Sequence, residues 1–233
     1  MIRILGFICK KETFCFKFTK AKSNNMVAVR NLHKKLPKIP VKKIPVSLIY
    51  EVIDGKPIYY KGYREVLNGT KKSSEIMGAS TLQNSIIEYI LRILFRGLDE
   101  KKYRIMTNEQ GLHLENKSNL SADIAVFETS KLPLKAADKH YASVAPKIQI
   151  EVDIDADIED FEFPEAYINL KTDKLLAFGV EKVIWILSES KKVMIATKDD
   201  NWQITNWHKE IEIAEGLYIN IGQYLQAGES PYA

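Results

Sequence analysis

The sequence predicts an α/β fold in which a mixed β-sheet is flanked by helices. Two segments carry apolar residues at helical spacing, and short stretches of β-forming residues lie between and after them. The order of helix, several strands, helix and two strands is typical of a sheet with helices packed against it. A chain of 233 residues with 45% hydrophobic residues is long enough for one such core.

A basic arm precedes the predicted domain. Pro37, Pro40 and Pro45 make a regular helix between residues 34 and 46 unfavourable. We therefore expect a poorly ordered arm over residues 1–45 and one domain over residues 46–233. The first 47 residues hold twelve of the 34 Lys and Arg and one of the 30 acids, so they carry +11 and the remainder −7. Such an arm can bind a phosphate backbone. Charge runs are more commonly solvated tails, and we favour that interpretation of the arm.

The cysteines and apolar runs indicate a cytoplasmic protein. Both cysteines, Cys9 and Cys15, lie in the arm, so no disulfide framework is expected in the domain. The longest apolar runs, such as residues 183–187, fall far short of the roughly 20 residues that cross a bilayer. We expect a reducing compartment and no membrane partner.

The first elements of the domain are a hairpin and a long helix. Asp54-Gly55 separates the apolar runs 48–53 and 57–60, which predicts two strands joined by a tight turn. Between residues 79 and 96, apolar side chains recur at helical spacing, with Ser80 or Thr81 as the cap and Gly97 as the end.

Strands and a second helix follow. We predict strands at residues 103–106, 112–114, 123–127 and 147–152. The second helix should begin near Pro164 and end at Gly179. Strands at residues 182–187 and 193–196 come next, and a carboxy-terminal hairpin should pack Trp202 and Trp207 on the core.

Two acids on predicted strands indicate a metal site. Asp123 opens one strand and Glu151 lies within the next, each among apolar neighbours. Mg²⁺ takes oxygen ligands and usually needs only one or two carboxylates, with water and substrate phosphate completing its shell. Asp123 and Glu151, with the carbonyl of Val152, would suffice for Mg²⁺ or Mn²⁺.

A lysine beside such a metal ion can orient water and stabilise charge on a phosphate that is being hydrolysed. Lys171 and Lys174 both fall within the apolar stripe of the second helix, which consists of Tyr167, Leu170, Leu175 and Phe178. Periodicity alone leaves both lysines open as the catalytic one. The competing interpretation is that these lysines extend along the helix to water.

Other metal and catalytic patterns are excluded. A calcium loop that begins at Asp153 would need Gly where Ile158 lies and Glu where Pro164 lies. The four histidines have no zinc-type spacing, and no Walker loop, dinucleotide fingerprint or serine-hydrolase elbow is present.

The order of these segments resembles the Uma-two family of restriction endonucleases in the PD-(D/E)XK superfamily. The matching segments are residues 121–126, residues 146–152, Lys171 eight residues before Gly179, and residues 181–187. The resemblance covers roughly residues 48–198 and implies a restriction-endonuclease-like sheet. It also implies that Asp123 and Glu151 are metal ligands and that Lys171 is the catalytic lysine.

The chain departs from the family pattern at two positions. The superfamily keeps its lysine two residues after the Glu, where this chain has Asp153, which is consistent with migration of the lysine to Lys171. The family tends to place a histidine at the start of its first long helix, and the match here is Gln83, which cannot act as a base. An upstream family element that begins with Glu matches either residues 51–55 or residues 65–69.

Two functions follow from this sequence. The first is a Mg²⁺-dependent endonuclease that hydrolyses phosphodiester bonds in nucleic acid, with DNA as the expected substrate. The second is a nuclease-fold protein whose chemistry has lapsed and which acts as a binding module, as Gln83, Asp153 and the acidic body indicate. Many nucleases of the superfamily form homodimers. The sequence identifies no dimer surface, so it leaves both a monomer and a homodimer open.

Overall fold

A computed structural model describes residues 44–115, 117–199 and 202–233. Its strands are β1 (Ile49–Ile53), β2 (Lys56–Tyr59), β3 (Tyr103–Thr107), β4 (Leu112–Leu114), β5 (Ser118–Leu120), β6 (Ile124–Glu128), β7 (Ile148–Val152), β8 (Lys182–Leu187), β9 (Lys192–Thr197), β10 (Gln203–Asn206), β11 (Ile211–Ala214) and β12 (Leu217–Ile219). Its α-helices are α1 (Tyr63–Leu67), α2 (Thr81–Gly97), α3 (Pro164–Phe178) and α4 (Ile221–Ala227).

Six strands form a central mixed sheet in the order β10-β9-β8-β7-β6-β3. β7 and β8 are parallel, and the other neighbouring pairs are antiparallel. Parallel neighbours need a long crossover, which α3 supplies between β7 and β8. The predicted fold class, a mixed sheet flanked by helices, is therefore confirmed.

Alternating side chains of the central sheet divide the core in two. Ile124 and Val126 of β6 belong to a core shared with α2, α4 and the β11–β12 hairpin. Ala125 and Phe127 of the same strand belong to a core shared with α3 and a second sheet. Because alternate residues of a strand face opposite sides, Glu151, which lies between two residues of the first core, projects toward α3.

The second sheet has four strands in the order β2-β1-β5-β4. The predicted Asp54-Gly55 turn joins β1 to β2, with φ angles of 52° and 75° that a type I′ turn requires. The backbone N–H of Asp54 donates to the Ser118 hydroxyl at 2.9 Å, and that of Gly55 donates to the Lys117 carbonyl at 3.1 Å. The tip of the hairpin is thus held against β5.

Both long helices are confirmed to within two residues at each end. The Ser80 hydroxyl accepts a hydrogen bond from the backbone N–H of Gln83 at 3.1 Å and caps α2. Pro164 begins α3, and Gly179 ends it at a φ of 117°, a conformation that favours glycine.

The structure adds short elements that the sequence did not predict, among them α1, β5 and α4. Trp207 is fully buried and Trp202 is half-buried, so both pack on the core as expected. The predicted basic arm lies outside the described residues except for residues 44 and 45. In the part of the chain that the structure describes, no helix is both long and apolar enough to cross a membrane.

Candidate active site

Asp123 and Glu151 lie opposite each other on neighbouring strands. β6 and β7 pair with Ile124 opposite Ile150, so one further step of the same register sets Asp123 opposite Glu151. Directly opposed residues of an antiparallel pair have Cβ atoms about 4.5–5.5 Å apart. The fold therefore brings two carboxylates together at one end of the central sheet, on the side of α3.

The carboxylate of Asp123 is held by the neighbouring strand. Its Oδ2 atom accepts a hydrogen bond from the backbone N–H of Val152 at 2.7 Å. Its carbonyl oxygen accepts one from the Thr107 hydroxyl at 2.7 Å. Asp123 is thus anchored to β7 on one side and to β3 on the other.

Lys171 is fully buried and reaches this pair from α3. Its Nζ atom lies 3.1 Å from Oε1 of Glu151 and 2.7 Å from Oε1 of Glu51. A buried ammonium group is tolerated only where it is well paired. Asp123, Glu151 and Lys171, which the sequence proposed together, therefore occupy one site.

Glu51 of β1 is the second counter-ion of Lys171. Its Oε1 atom also accepts hydrogen bonds from the backbone N–H and the hydroxyl of Ser121, at 3.0 and 3.2 Å, and Oε2 accepts one from the Tyr167 hydroxyl at 2.8 Å. Glu65, the competing match to the upstream family element, is partly exposed on α1 and pairs with Lys71. Of the two, only Glu51 lies in the site.

Burial dominates the electrostatics of the site. It raises the pKa of Glu151 to about 8, because the attraction of Lys171 only partly offsets burial and the repulsion from Asp123 and Glu51. Burial likewise raises the pKa of Asp123 to about 6, against the opposing effects of the Val152 N–H and Lys171. Burial alone would lower the pKa of Lys171, but Glu151 and Glu51 hold it well above its ordinary value.

Lys174 and Asp153, the other two residues considered for the site, make contacts elsewhere. Lys174 Nζ donates to Oδ1 of Asp54 at 2.6 Å, at the tip of the hairpin. The Asp153 carboxylate accepts hydrogen bonds from the backbone N–H and hydroxyl of Ser188, at 2.7 and 2.8 Å. Lys171, and not Lys174, is the lysine beside Glu151.

Gln83 lies at the margin of the site, in the first turn of α2, where the family resemblance expects a histidine. It is buried, and its Nε2 atom donates to the carbonyl of Val152 at 2.8 Å and to Oδ2 of Asp155 at 3.2 Å. The amide therefore connects α2 to the end of β7. A glutamine in this place can position groups but cannot accept a proton.

An open cleft of about 890 Å³ leads to the site. Asp123, Asp155 and Gln83 line one end of it, and residues of α2 line a wall as far as Phe95 and Arg96. At about 1.5 Å per residue, this wall is about 20 Å long. Asp123 is the member of the predicted group that borders the cleft, whereas Glu151 and Lys171 are buried.

Sequence reasoning missed Gln149, Tyr167 and Asp155 as members of the site. Gln149 Nε2 donates to Oε1 of Glu151 and, at 3.2 Å, to the Ser121 carbonyl. A signal was available for Gln149, because it shares the alternation of Glu151 within an otherwise apolar strand. Tyr167 precedes Lys171 by one helical turn, but its role depends on Glu51, whose position no local pattern predicts.

The oxygen donors of Asp123 and Glu151 fit Mg²⁺ or Mn²⁺. Glu151 is buried, Asp123 beside it borders the cleft, and a dication would stabilise the two neighbouring carboxylates. Among the described residues, no three His, Cys, Asp or Glu side chains converge as metal ligands. That pattern suits Mg²⁺, which keeps water and phosphate ligands, better than a closed zinc site.

The fold and this buried acid–lysine group define an α/β protein with a mixed sheet and a site at the ends of β6 and β7. Among solved structures, the fold is similar to that of a protein from Anabaena variabilis ATCC 29413 described as a "putative nuclease belonging to DUF820". The TM-score is 0.53 with 16% sequence identity, over 76% of this chain and 89% of that chain. No family model matches the chain, and no curated protein matches it in sequence.

Proposed function

We propose that this protein is a Mg²⁺-dependent endonuclease that hydrolyses phosphodiester bonds, with DNA as its substrate. The observation that carries the proposal is the buried Lys171 amine 3.1 Å from Glu151, which is itself opposite Asp123. The resemblance to the Uma-two family and the fold of the Anabaena protein support it.

Asp123 and Glu151 would hold the metal ion, as Mg²⁺ or Mn²⁺. A bound Mg²⁺ polarises a phosphate oxygen and lowers the pKa of a water molecule. The chain itself keeps Asp123 in place through the Val152 N–H and keeps the carboxylate of Glu151 close to Lys171.

Lys171 supplies a positive charge that is already in position before substrate arrives. Its pKa is held well above its ordinary value by Glu151 and Glu51, so it remains an ammonium group at neutral pH. A preorganised cation stabilises the negative charge that develops on a phosphate under attack, and it does so most effectively where water is excluded. Complete burial of Lys171 meets that condition.

Plasmid cleavage tests the proposal. The purified protein should cut plasmid DNA in Mg²⁺ and stop when the metal is chelated. Asp123→Asn and Lys171→Met should abolish cutting, whereas Lys174→Met is a matched control that should cut normally, because its ammonium pairs with Asp54 at the hairpin tip. Equal cutting by Asp123→Asn and the parent would mean a contaminating nuclease and would refute the proposal.

A binding module with lapsed chemistry is the second candidate. Gln83 favours it, because a glutamine beside Asp155 and the Val152 carbonyl cannot serve as a base. Calorimetric titration separates the two functions. Mg²⁺ or Mn²⁺ binding that disappears in Glu151→Gln supports the nuclease, and the absence of binding in the parent supports the module.

A further inference from the structure

Glu51 comes to the site from a different part of the fold than its partners. Asp123 and Glu151 belong to the central sheet and Lys171 to α3, whereas Glu51 lies on β1 in the second sheet. The Glu51 side chain is fully buried. A buried carboxylate in a peripheral hairpin requires a specific partner, and that partner is Lys171.

The contacts hold Glu51 more firmly than any other acid of the group. Its Oε1 atom lies 2.7 Å from Nζ of Lys171 and accepts hydrogen bonds from the backbone N–H and the hydroxyl of Ser121. Its Oε2 atom accepts a hydrogen bond from the Tyr167 hydroxyl. The distance from Lys171 to Glu151 is longer, at 3.1 Å. The nearer and better-bonded counter-ion of the lysine is therefore Glu51.

One face of α3 contacts the β1–β2 hairpin. Tyr167, Lys171 and Lys174 are spaced four and three residues apart, which sets them on one side of a helix. The first two contact Glu51 and the third contacts Asp54 at the hairpin tip. Glu51 is thus held by two residues of the helix face that carries Lys171.

We propose that Glu51 is a positioning residue, a permanent counter-ion that holds Lys171 in place while Glu151 serves the metal ion. The inference rests on the proposed function. A carboxylate that binds a dication is partly neutralised by that ion and attracts a lysine less strongly. Lys171 therefore needs a second anion that does not bind the metal ion. Glu51 meets this need because it contacts Lys171 and because both of its carboxylate oxygens accept hydrogen bonds from the protein.

Steady-state cleavage of an oligonucleotide tests the proposal. Glu51→Gln should lower kcat about 10- to 100-fold, as is usual when an outer partner of a metal site is lost, and should leave KM within about twofold because Glu51 does not border the cleft. Glu65→Gln removes a carboxylate that pairs with Lys71 away from the site and should match the parent. A folded Glu51→Gln protein with the parent's kcat would overturn the proposal.

A conservative variant separates positioning from stability. Glu51→Asp keeps the charge and should recover part of the lost kcat, even where its melting temperature is no higher than that of Glu51→Gln. If kcat instead follows melting temperature across the variants, Glu51 is only structural and the proposal fails.

A readout without nucleic acid distinguishes this proposal from the proposed function. Acylation of amines, followed by mass spectrometry, should leave Lys171 unmodified in the folded parent and in Glu65→Gln, because the amine is fully buried. Lys171 should become modified in folded Glu51→Gln. If the parent cuts no DNA, the proposed function fails, yet the labelling still decides whether Glu51 holds Lys171. Equal protection in all three proteins would overturn the inference.

Discussion

The site brings one ammonium group together with three carboxylates. Lys171 lies between Glu51 and Glu151, and Asp123 is opposite Glu151. Like charges this close disfavour the ionised forms, so the group holds excess negative charge unless a proton or a cation joins it. Burial is the main cause of the raised pKa of Glu151, and the repulsion from Asp123 and Glu51 adds to it.

The pH dependence of stability follows from Glu151. Burial raises its pKa to about 8, so the folded protein keeps a proton that the unfolded chain loses near its ordinary value of 4.5. In metal-free buffer, the free energy of unfolding should therefore fall as pH rises from about 5 to about 8. Urea denaturation across this range measures the effect. Glu151→Gln should flatten the curve, and an unchanged slope in that variant would contradict the assignment.

Residues of the site differ in how far the sequence predicts them. Asp123 and Glu151 stand out because they are charged within apolar strands. Lys171 and Lys174 both interrupt the apolar stripe of the second helix, and only the family resemblance favours Lys171. Glu51 does not stand out, since an acid in a hairpin strand is usually solvated. Its burial depends on Ser121, Tyr167 and Lys171, which are distant in sequence and converge only in the fold.

At the scale of elements, strong local signals were sufficient for the two long helices and most strands. α2 and α3 can be predicted because their end signals act within a few residues. These signals are the capping Ser80 of α2, and Pro164 at the first turn and Gly179 at the end of α3. β5 contains only Ser118, Asn119 and Leu120 and exists because β1 and β4 pair with it. α1 and α4 are too short for apolar periodicity to appear.

The wall of the cleft formed by α2 should bind substrate. Phe95 is 63% exposed and lies beside Arg96 at the end of the cleft away from Asp123. Aromatic rings next to arginine bind unpaired bases, at about 1–3 kcal/mol per stacked base. Phe95→Ala and Arg96→Ala should weaken binding of single-stranded oligonucleotides in fluorescence anisotropy.

Phe163→Ala is the matched control for this prediction. Phe163 is 48% exposed and precedes α3, and it does not line the cleft. Binding by this variant should equal that of the parent. A similar loss of affinity in Phe163→Ala and Phe95→Ala would indicate that the α2 wall is not the binding surface.

At the scale of the whole molecule, charge is divided between the two parts of the sequence. Residues 1–47 carry +11, and the remainder, which includes the cleft, carries −7. An acidic body repels a nucleic-acid backbone unless cations are concentrated locally. A run of charges is commonly a solvated tail, but the body is acidic, so affinity for DNA should owe much of its salt dependence to the basic residues of the arm.

Truncation tests this division of charge. The logarithm of affinity falls with the logarithm of salt concentration by about 0.9 for each duplex phosphate that is neutralised. A protein of residues 44–233 lacks twelve of the 34 Lys and Arg and should show a shallower slope than the full chain. Identical slopes for the two proteins would mean that the arm does not contact DNA.

The β1–β2 hairpin also has a kinetic consequence. Separation of β1 from α3 would leave Lys171 without its nearer counter-ion in an apolar setting, so such openings should be rare. The amide hydrogens of β1 should then exchange with solvent deuterium about as slowly as those of β7 at the centre of the main sheet. A strand near the margin of the domain would thereby share the protection of its core.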